Sequence, residues 1–151
     1  AGRVTSEVRV EMAGRNDAAA LGFSLAFVEK RRAGNDSGRE ALTLIGSVAG
    51  KDVLIVDDLV DTAGSVQQAV EVVRAHGARD VYLAFTHPVL SPPAIERLSQ
   101  LDIKEIVTTD TLPITPEKRL PNLTVLSVAE LLGEVIMRSH EGRSVGELFN
   151  E

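Results

Sequence analysis

Three carboxylates and two hydroxyl groups lie in one short stretch of the sequence, directly after the apolar run 53–56. The stretch comprises Asp57, Asp58, Asp61, Thr62, Ala63, Gly64 and Ser65. In open α/β sheets, ligands bind beyond the carboxyl ends of the strands. Free N–H groups at a helix N-terminus, with Thr and Ser hydroxyls beside them, form a cradle for anions. The pattern therefore predicts an anion site between a strand and a helix.

The carboxylates at the mouth of this cradle indicate a ligand that is more than a bare phosphate, which they would repel. Carboxylate oxygens accept hydrogen bonds from sugar hydroxyls, and they hold Mg²⁺ directly or through water. A phosphorylated sugar satisfies both halves of the site. The alternative is an acidic N-cap cluster, because Asp and Thr are favoured before helices. A cap uses one carboxylate and this stretch has three, which favours the ligand site.

A second group of candidate residues is basic. Lys30, Arg31 and Arg32 follow the apolar residues 23–28 and open the segment 29–40, which contains nothing that could form a core. We therefore expect residues 29–40 to be an exposed mobile loop. Three basic residues in a loop are ordinarily a solvated charge run. Beside a sugar-phosphate site, a Lys and an Arg on such a loop can instead close over phosphates and exclude water.

The elements that position these residues alternate between strands and helices. Apolar runs predict strands at residues 23–28, 42–48, 53–56, 81–85, 103–108 and 123–126. Helices are predicted from Val66 to a cap at Gly77, after Ser91 as N-cap, over 128–139 after Ser127 as N-cap, and as a brief turn at 145–149. This alternation predicts an α/β fold, a mostly parallel β-sheet flanked by helices.

Two further features of the sequence are less clear. Val4, Val8 and Met12 recur at every fourth position and residues 18–21 continue in a helix-tolerant way, which predicts a helix at the start of the chain with a break near residues 14–17. His87 lies at a predicted strand end, where it is either a ligand-facing residue or a structural or interface histidine.

Composition narrows the classes of function. The 151 residues include 16 Lys+Arg and 22 Asp+Glu, a formal net charge of −6, and this length suits a single domain with one core. The acidic balance and the small number of aromatic residues argue against a nucleic-acid partner. No apolar run approaches the ~20 residues that span a bilayer, so no membrane partner is expected. The absence of Cys excludes a disulfide scaffold and a Cys-ligated zinc site, which makes a cytoplasmic location the default.

Residues 53–65 resemble the phosphoribosyl pyrophosphate-binding loop of type I phosphoribosyltransferase-fold proteins. By itself this loop does not distinguish a base phosphoribosyltransferase from the enzyme that makes the donor. Other segments are similar to the ribose-phosphate pyrophosphokinase family: Lys30-Arg31-Arg32, residues 86–91 and 93–97, residues 107–111, residues 126–129 and the ending 141–149. The resemblance spans essentially the whole chain.

The resemblance implies a reaction and a set of site residues. The 1-hydroxyl of ribose 5-phosphate would attack the β-phosphorus of Mg-ATP, which gives phosphoribosyl pyrophosphate and AMP. Asp57 and Asp58 would hold the ribose hydroxyls, directly or through Mg²⁺, and Lys30 and Arg32 would close over the ATP phosphates. The 5-phosphate would be held by Asp61, Thr62, Ala63, Gly64 and Ser65.

The family also implies a larger context for the chain. The resemblance implies an enzyme built of two such domains in tandem. We therefore expect residues 1–151 to be the C-terminal domain, without the N-terminal half that supplies most of the adenine pocket. A homo-oligomer, typically a hexamer built of dimer units, is implied as well. The alternatives are a base phosphoribosyltransferase, for which no segment is left to form a base-binding hood, and a non-catalytic regulatory subunit, against which Lys30 and Arg32 argue.

Overall fold

The strands of the chain form one twisted sheet. The computed structural model describes residues 7–11, 24–32 and 40–149. In chain order the strands are β1 (Glu7–Glu11), β2 (Ser24–Arg32), β3 (Glu40–Ile45), β4 (Asp52–Val60), β5 (Val81–Pro88), β6 (Glu105–Thr109) and β7 (Leu123–Leu126). They are arranged in the order β3-β2-β1-β4-β5-β6-β7. Among these described strands only β2 and β3 pair antiparallel, so the predicted mostly parallel sheet is confirmed.

Three helices follow strands of the sheet: α1 (Gly64–Ala75), α2 (Ala94–Gln100) and α3 (Ala129–Glu141). Short 3₁₀ turns occur at Pro116–Lys118 and Gly146–Phe149. Helix α1 packs on β3 and β4 and lies beside α2. No helix in the described part of the chain is long and apolar enough to cross a bilayer.

The core explains why α1 begins where β4 ends. Apolar side chains of α1 recur with helical spacing and are buried, namely Val66, Ala69, Val70 and Val73. They pack in one cluster with the fully buried Val53 and Ile55 of β4. Because both elements contribute to the same core, the short connection between them is fixed at the carboxyl end of the sheet.

The predicted helix at the start of the chain is wrong where the structure describes it. Glu7–Glu11 is a strand that pairs in parallel with β2 on one side and with β4 on the other. Val8 and Val10 alternate with charged residues, and this spacing of two residues fits a strand. Pairing with the two neighbouring strands outweighs the weak helical signal from apolar residues at every fourth position. Residues 4–6 and 12–21, which were also part of that interpretation, lie outside the described residues.

The predicted mobile loop at residues 29–40 is also wrong at both of its ends. Strand β2 continues to Arg32 and β3 begins at Glu40, and the two pair with Lys30 opposite Leu42. Backbone hydrogen bonds in an antiparallel pair do not require an apolar side chain at every position, which is why a polar sequence extends the hairpin. Residues 33–39 lie outside the described part.

Two predicted helix caps differ from the structure. Helix α2 begins at Ala94 with no side-chain cap, and the main-chain oxygen of Ser91, not its hydroxyl, accepts the Ala94 N–H at 2.9 Å. At α3 the Ser127 hydroxyl does accept the Ala129 N–H, at 3.3 Å, while the Asp110 carboxylate accepts the Val128 N–H at 2.8 Å. The Ser91 prediction is therefore wrong, and Ser127 shares its role with Asp110.

Candidate sugar-phosphate site

Asp57 and Asp58 lie within β4 rather than after it, because the strand continues to Val60. The two carboxylates interact with each other but differ in exposure. Asp57 is half-buried and pairs with Phe85 of β5, whereas Asp58 is exposed. The backbone N–H of Asp58 donates a hydrogen bond of 2.9 Å to the Asp57 Oδ1.

The connection from β4 to α1 leaves the first N–H groups of the helix free for a ligand. Ala63 precedes the helix in a left-handed conformation, with φ 60° and ψ 15°, and no side chain caps the helix. The Ala63 carbonyl accepts the Gln67 N–H at 3.0 Å, which closes the first turn. The first N–H groups of a helix lack intrahelical acceptors, and those of Ala63 and the next three residues find none among the described residues. The geometry is that of an anion cradle.

A pocket of about 200 Å³ opens at this connection. Its lining residues are Asp57, Leu59, Val60, Asp61, Thr62, Ala63, Gly64, Ser65 and Val66. Six of the predicted site residues therefore line one space, and they include two carboxylates and the first residues of the helix. Asp58 is not among the lining residues, and the structure does not bring it to this pocket.

The electrostatics of the pocket centre on Asp57. Burial raises the pKa of the Asp57 carboxyl above its ordinary value, and the neighbouring Asp58 carboxylate raises it further, against the opposing backbone N–H of Asp58. Asp61 is exposed at the pocket mouth. A raised pKa means that the ionised carboxylate is unfavourable in the free chain. A ligand hydroxyl that donates a hydrogen bond to it, or a bound cation, stabilises the ionised form.

The donor set fits a magnesium ion held mainly by substrate. Within residues 7–11, 24–32 and 40–149, no three His, Asp or Glu side chains cluster closely enough to hold a metal. Mg²⁺ characteristically binds through one or two protein carboxylates and completes its shell with phosphate oxygens and water. Asp57 lines the pocket and its carboxylate interacts with that of Asp58, so the pair supplies that number of carboxylates beside the pocket.

Lys30 and Arg32 lie at the same edge of the sheet as this pocket. The register aligns Phe27 of β2 with Glu11 of β1, and Glu11 with Val56 of β4. Lys30 lies three residues beyond Phe27 along β2, and Asp58 lies two residues beyond Val56 along β4. Since β1 separates β2 from β4, the two backbones are roughly 10 Å apart at this level.

His87 lies beside the pocket on β5, opposite Leu59 of β4. Its Nδ1 is 3.0 Å from the Thr111 Oγ1, and the Thr111 hydroxyl donates to the Thr86 carbonyl at 3.0 Å. The ring is exposed. The threonine partner follows β6 and is 24 residues away, so the sequence offered no indication of this contact.

Arg97 makes a contact at the pocket that the sequence did not predict. This residue of α2 donates a hydrogen bond of 2.9 Å from Nη1 to the Thr62 carbonyl, 35 residues earlier in the chain. A Cβ atom added to Gly64 would lie 3.4 Å from the same nitrogen. The guanidinium therefore contacts the connection and lies on the side of Gly64 to which a side chain would point.

Comparison with known proteins adds independent information. The family described as phosphoribosyl synthetase-associated domain matches residues 28–150. The ribose-phosphate pyrophosphokinase of Caldanaerobacter subterraneus subsp. tengcongensis is 49% identical over 129 residues, covering 85% of this chain and 40% of that protein. Ribose-phosphate pyrophosphokinase 1, chloroplastic, of Arabidopsis thaliana is 48% identical over 125 residues, 83% of this chain and 31% of that protein.

A solved structure is similar over nearly the whole chain. The crystal structure of phosphoribosylpyrophosphate synthetase from Mycobacterium smegmatis superposes with a TM-score of 0.81 at 40% identity, covering 91% of this chain and 46% of that chain. This similarity confirms the fold predicted from the resemblance. The chain spans less than half the length of each of these relatives.

Proposed function

The chain belongs to the phosphoribosyl synthetase-associated domain family, and from this premise we propose that it carries the ribose 5-phosphate site of a ribose-phosphate pyrophosphokinase. The activity is the transfer of a diphosphate group from Mg-ATP to the 1-hydroxyl of ribose 5-phosphate. The name of its relatives, ribose-phosphate pyrophosphokinase, implies ribose 5-phosphate and ATP as the substrates.

The observation that carries this proposal is the composition of the pocket between β4 and α1. Free N–H groups at the start of α1, with the hydroxyls of Thr62 and Ser65, suit a phosphate dianion. The Asp57 carboxylate, which lines the same pocket, suits hydroxyl donors. A sugar phosphate presents both kinds of group, whereas a bare phosphate leaves Asp57 unmatched and repelled.

Each group of residues has its own part in the proposed reaction. The cradle anchors the 5-phosphate, and Asp57 accepts hydrogen bonds from the ribose hydroxyls, so the 1-hydroxyl is held in one place. The ribose oxygen forms a bond to the β-phosphorus, the bond from that phosphorus to the α-phosphate oxygen breaks, and AMP leaves. The 1-hydroxyl proton passes to solvent. Lys30 and Arg32 would pair with the phosphate oxygens on which negative charge develops.

Magnesium is the cofactor of the proposal. When bound, it would neutralise phosphate charge, and Asp57 and Asp58 are the residues that would hold it, directly or through water. Their part is then to fix the ion relative to the sugar, which also compensates the repulsion between the two adjacent carboxylates.

The proposal also covers the setting of the chain. We propose that it acts as the C-terminal domain of a two-domain enzyme in the cytoplasm and that the enzyme is a homo-oligomer. The apolar side chains of Leu132 and Ile136 on α3 support contact with a further domain or subunit, because they are 53% and 69% exposed.

The direct test is an assay of the intact protein with Mg-ATP and ribose 5-phosphate. We expect AMP and phosphoribosyl pyrophosphate in equal amounts. Binding of both substrates without either product would overturn the diphosphokinase proposal. Consumption of phosphoribosyl pyrophosphate when a purine or pyrimidine base is added would instead favour the base phosphoribosyltransferase.

Substitution of Lys30 tests the assignment of the basic residues. Lys30→Ala should reduce turnover by about 100-fold or more, because it removes a cation that acts on the transition state, and should leave ribose 5-phosphate binding nearly unchanged. Lys51→Ala is the matched control, since Lys51 precedes β4 at the opposite edge of the sheet. Unchanged turnover in Lys30→Ala would remove the catalytic assignment.

A further inference from the structure

The position of the Arg97 side chain is unusual for a cation. Arg97 lies in the last turn of α2, where a positive charge suits the end of that helix. Its guanidinium, however, hydrogen-bonds the Thr62 carbonyl just before α1 and lies near the first residue of that helix, Gly64. A cation at a helix N-terminus opposes the helix dipole. The placement is therefore unfavourable to α1 by itself and becomes favourable when an anion lies beside both groups.

The guanidinium also lacks a carboxylate partner in the described part of the chain. The ion pairs found there involve other arginines, such as Arg74 with Asp102 and Arg79 with Asp52. Arg97 donates to a main-chain carbonyl instead. Among the described residues, its charge therefore has no carboxylate at ion-pair distance, although three carboxylates lie in the segment 57–61.

The hydrogen bond to Thr62 has a geometric consequence for the cradle. In a planar trans peptide, the C=O of one residue and the N–H of the next point in opposite directions. Holding the Thr62 carbonyl toward Arg97 therefore directs the Ala63 N–H to the other side of the connection. Ala63 has a left-handed conformation that a non-glycine residue adopts at some cost, so an external contact that fixes this peptide matters.

We propose that Arg97 is a positioning residue for phosphate: it fixes the Thr62–Ala63 peptide so that the amides of the α1 N-terminus face the ligand, and its charge offsets the adjacent carboxylates. This inference rests on the proposed function, since it takes the phosphate of ribose 5-phosphate as the anion. It assigns to α2 a part in a site whose other residues come from β4 and α1.

The test measures binding of ribose 5-phosphate and of inorganic phosphate to the full chain by calorimetry. We expect Arg97→Ala to weaken ribose 5-phosphate binding about tenfold or more, which is the effect of losing a hydrogen bond from a charged donor. Arg97→Lys, which keeps the charge and one donor, should bind with intermediate affinity. The matched control is Arg119→Ala, which removes an exposed arginine outside the pocket. Thermal unfolding of each variant reports the fold, and Arg97→Gln, with a donor but no charge, replaces the alanine variant if that does not fold.

A kinetic readout separates positioning from general damage. In the intact protein, Arg97→Ala should raise the KM for ribose 5-phosphate and leave the KM for ATP unchanged. Equal affinity of the wild type and Arg97→Ala for ribose 5-phosphate would overturn the inference and leave the proposed function standing. If the wild type binds phosphate no more weakly than ribose 5-phosphate, the sugar part of the proposed site fails, and loss of both ligands in Arg97→Ala would then support the inference for phosphate alone. A wild type that binds neither ligand overturns both.

Discussion

Asp57 is the residue whose environment differs most from that of a surface carboxylate. It is half-buried within β4, and burial together with the adjacent Asp58 raises its pKa. A group that binds its proton more tightly in the folded chain than in the unfolded chain destabilises the fold when it is ionised. The pocket therefore holds a charge that is unfavourable in the free chain, which is expected of a group that a ligand compensates.

The residue scale gives a prediction on stability. Asp57→Asn should raise the Tm at pH 7, because it removes the buried charge while its side-chain oxygen can still accept the Asp58 N–H. The sign follows from the raised pKa: the unfavourable contribution is present above the folded pKa and disappears below the ordinary value of 3.8. The gain in Tm should therefore vanish as the pH is lowered toward 3.

Thermal unfolding at a series of pH values checks this prediction. Asp61→Asn is the matched control, because the exposed Asp61 side chain does not contribute to the pKa of Asp57 and its loss should change the Tm little. The same Asp57→Asn variant should lose ribose 5-phosphate affinity, since the amide carries no charge. A Tm below that of the wild type at pH 7 would contradict the conclusion that ionised Asp57 destabilises the folded chain.

At the scale of elements, β4 and α1 are the parts that the sequence predicted best. Four consecutive apolar residues predicted the strand, and apolar residues at helical spacing predicted the helix from Val66 to the cap at Gly77, where the structure has φ 84°. Both signals are local. The assignment of β1 as a helix failed because its stability comes from pairing with β2 and β4, strands that follow it by many residues.

The amino end of β4 is joined to the turn before β5 by an ion pair. Arg79 donates two hydrogen bonds to the Asp52 carboxylate, at 2.6 and 2.5 Å. The Arg79 guanidinium lowers the pKa of Asp52, mainly through the side-chain hydrogen bond, against the effect of burial. The stabilisation is therefore present above the ordinary value of 3.8 and is lost as the pH falls through the lower folded pKa.

Arg79→Ala tests this pair. We expect a Tm about 1–3 °C below that of the wild type at pH 7, a small loss because Arg79 is largely exposed and solvent screens the pair. The difference should shrink as the pH is lowered below 3.8. Differential scanning calorimetry across that range, with Arg119→Ala as the control, is the measurement. A Tm difference that is independent of pH would show that packing, not the ion pair, is responsible.

For the whole molecule, the two edges of the sheet are chemically different. The amino edge carries paired charges, Asp52 with Arg79 and Asp80 with Lys104. The carboxyl edge gathers Asp57, the start of α1 and the His87–Thr111 pair. The ion pairs at the amino edge stabilise the fold, whereas no ion pair between described residues involves Asp57, so its charge is available to a ligand.

How much of the site could be predicted depends on how close its residues are in the sequence. Asp57, Asp61 and residues 62–65 are contiguous in sequence, so their types and order predicted one pocket, and the structure brings them together. Asp58 was grouped with them because it is adjacent to Asp57 in sequence, but it is not among the residues that line the pocket. The contact of Arg97 with Thr62 depends on how α2 packs beside α1, and no local pattern encodes a contact over 35 residues.

The central claim is that the connection between β4 and α1 binds ribose 5-phosphate. The most direct measurement is a titration of the isotopically labelled chain with this sugar phosphate, followed by the backbone amide signals in NMR spectra. We expect the largest saturable shifts at Asp57 and at residues 61–66, and none of comparable size on addition of ribose. An unchanged spectrum, or shifts confined to another surface such as that around Leu54 and Tyr82, would contradict the claim.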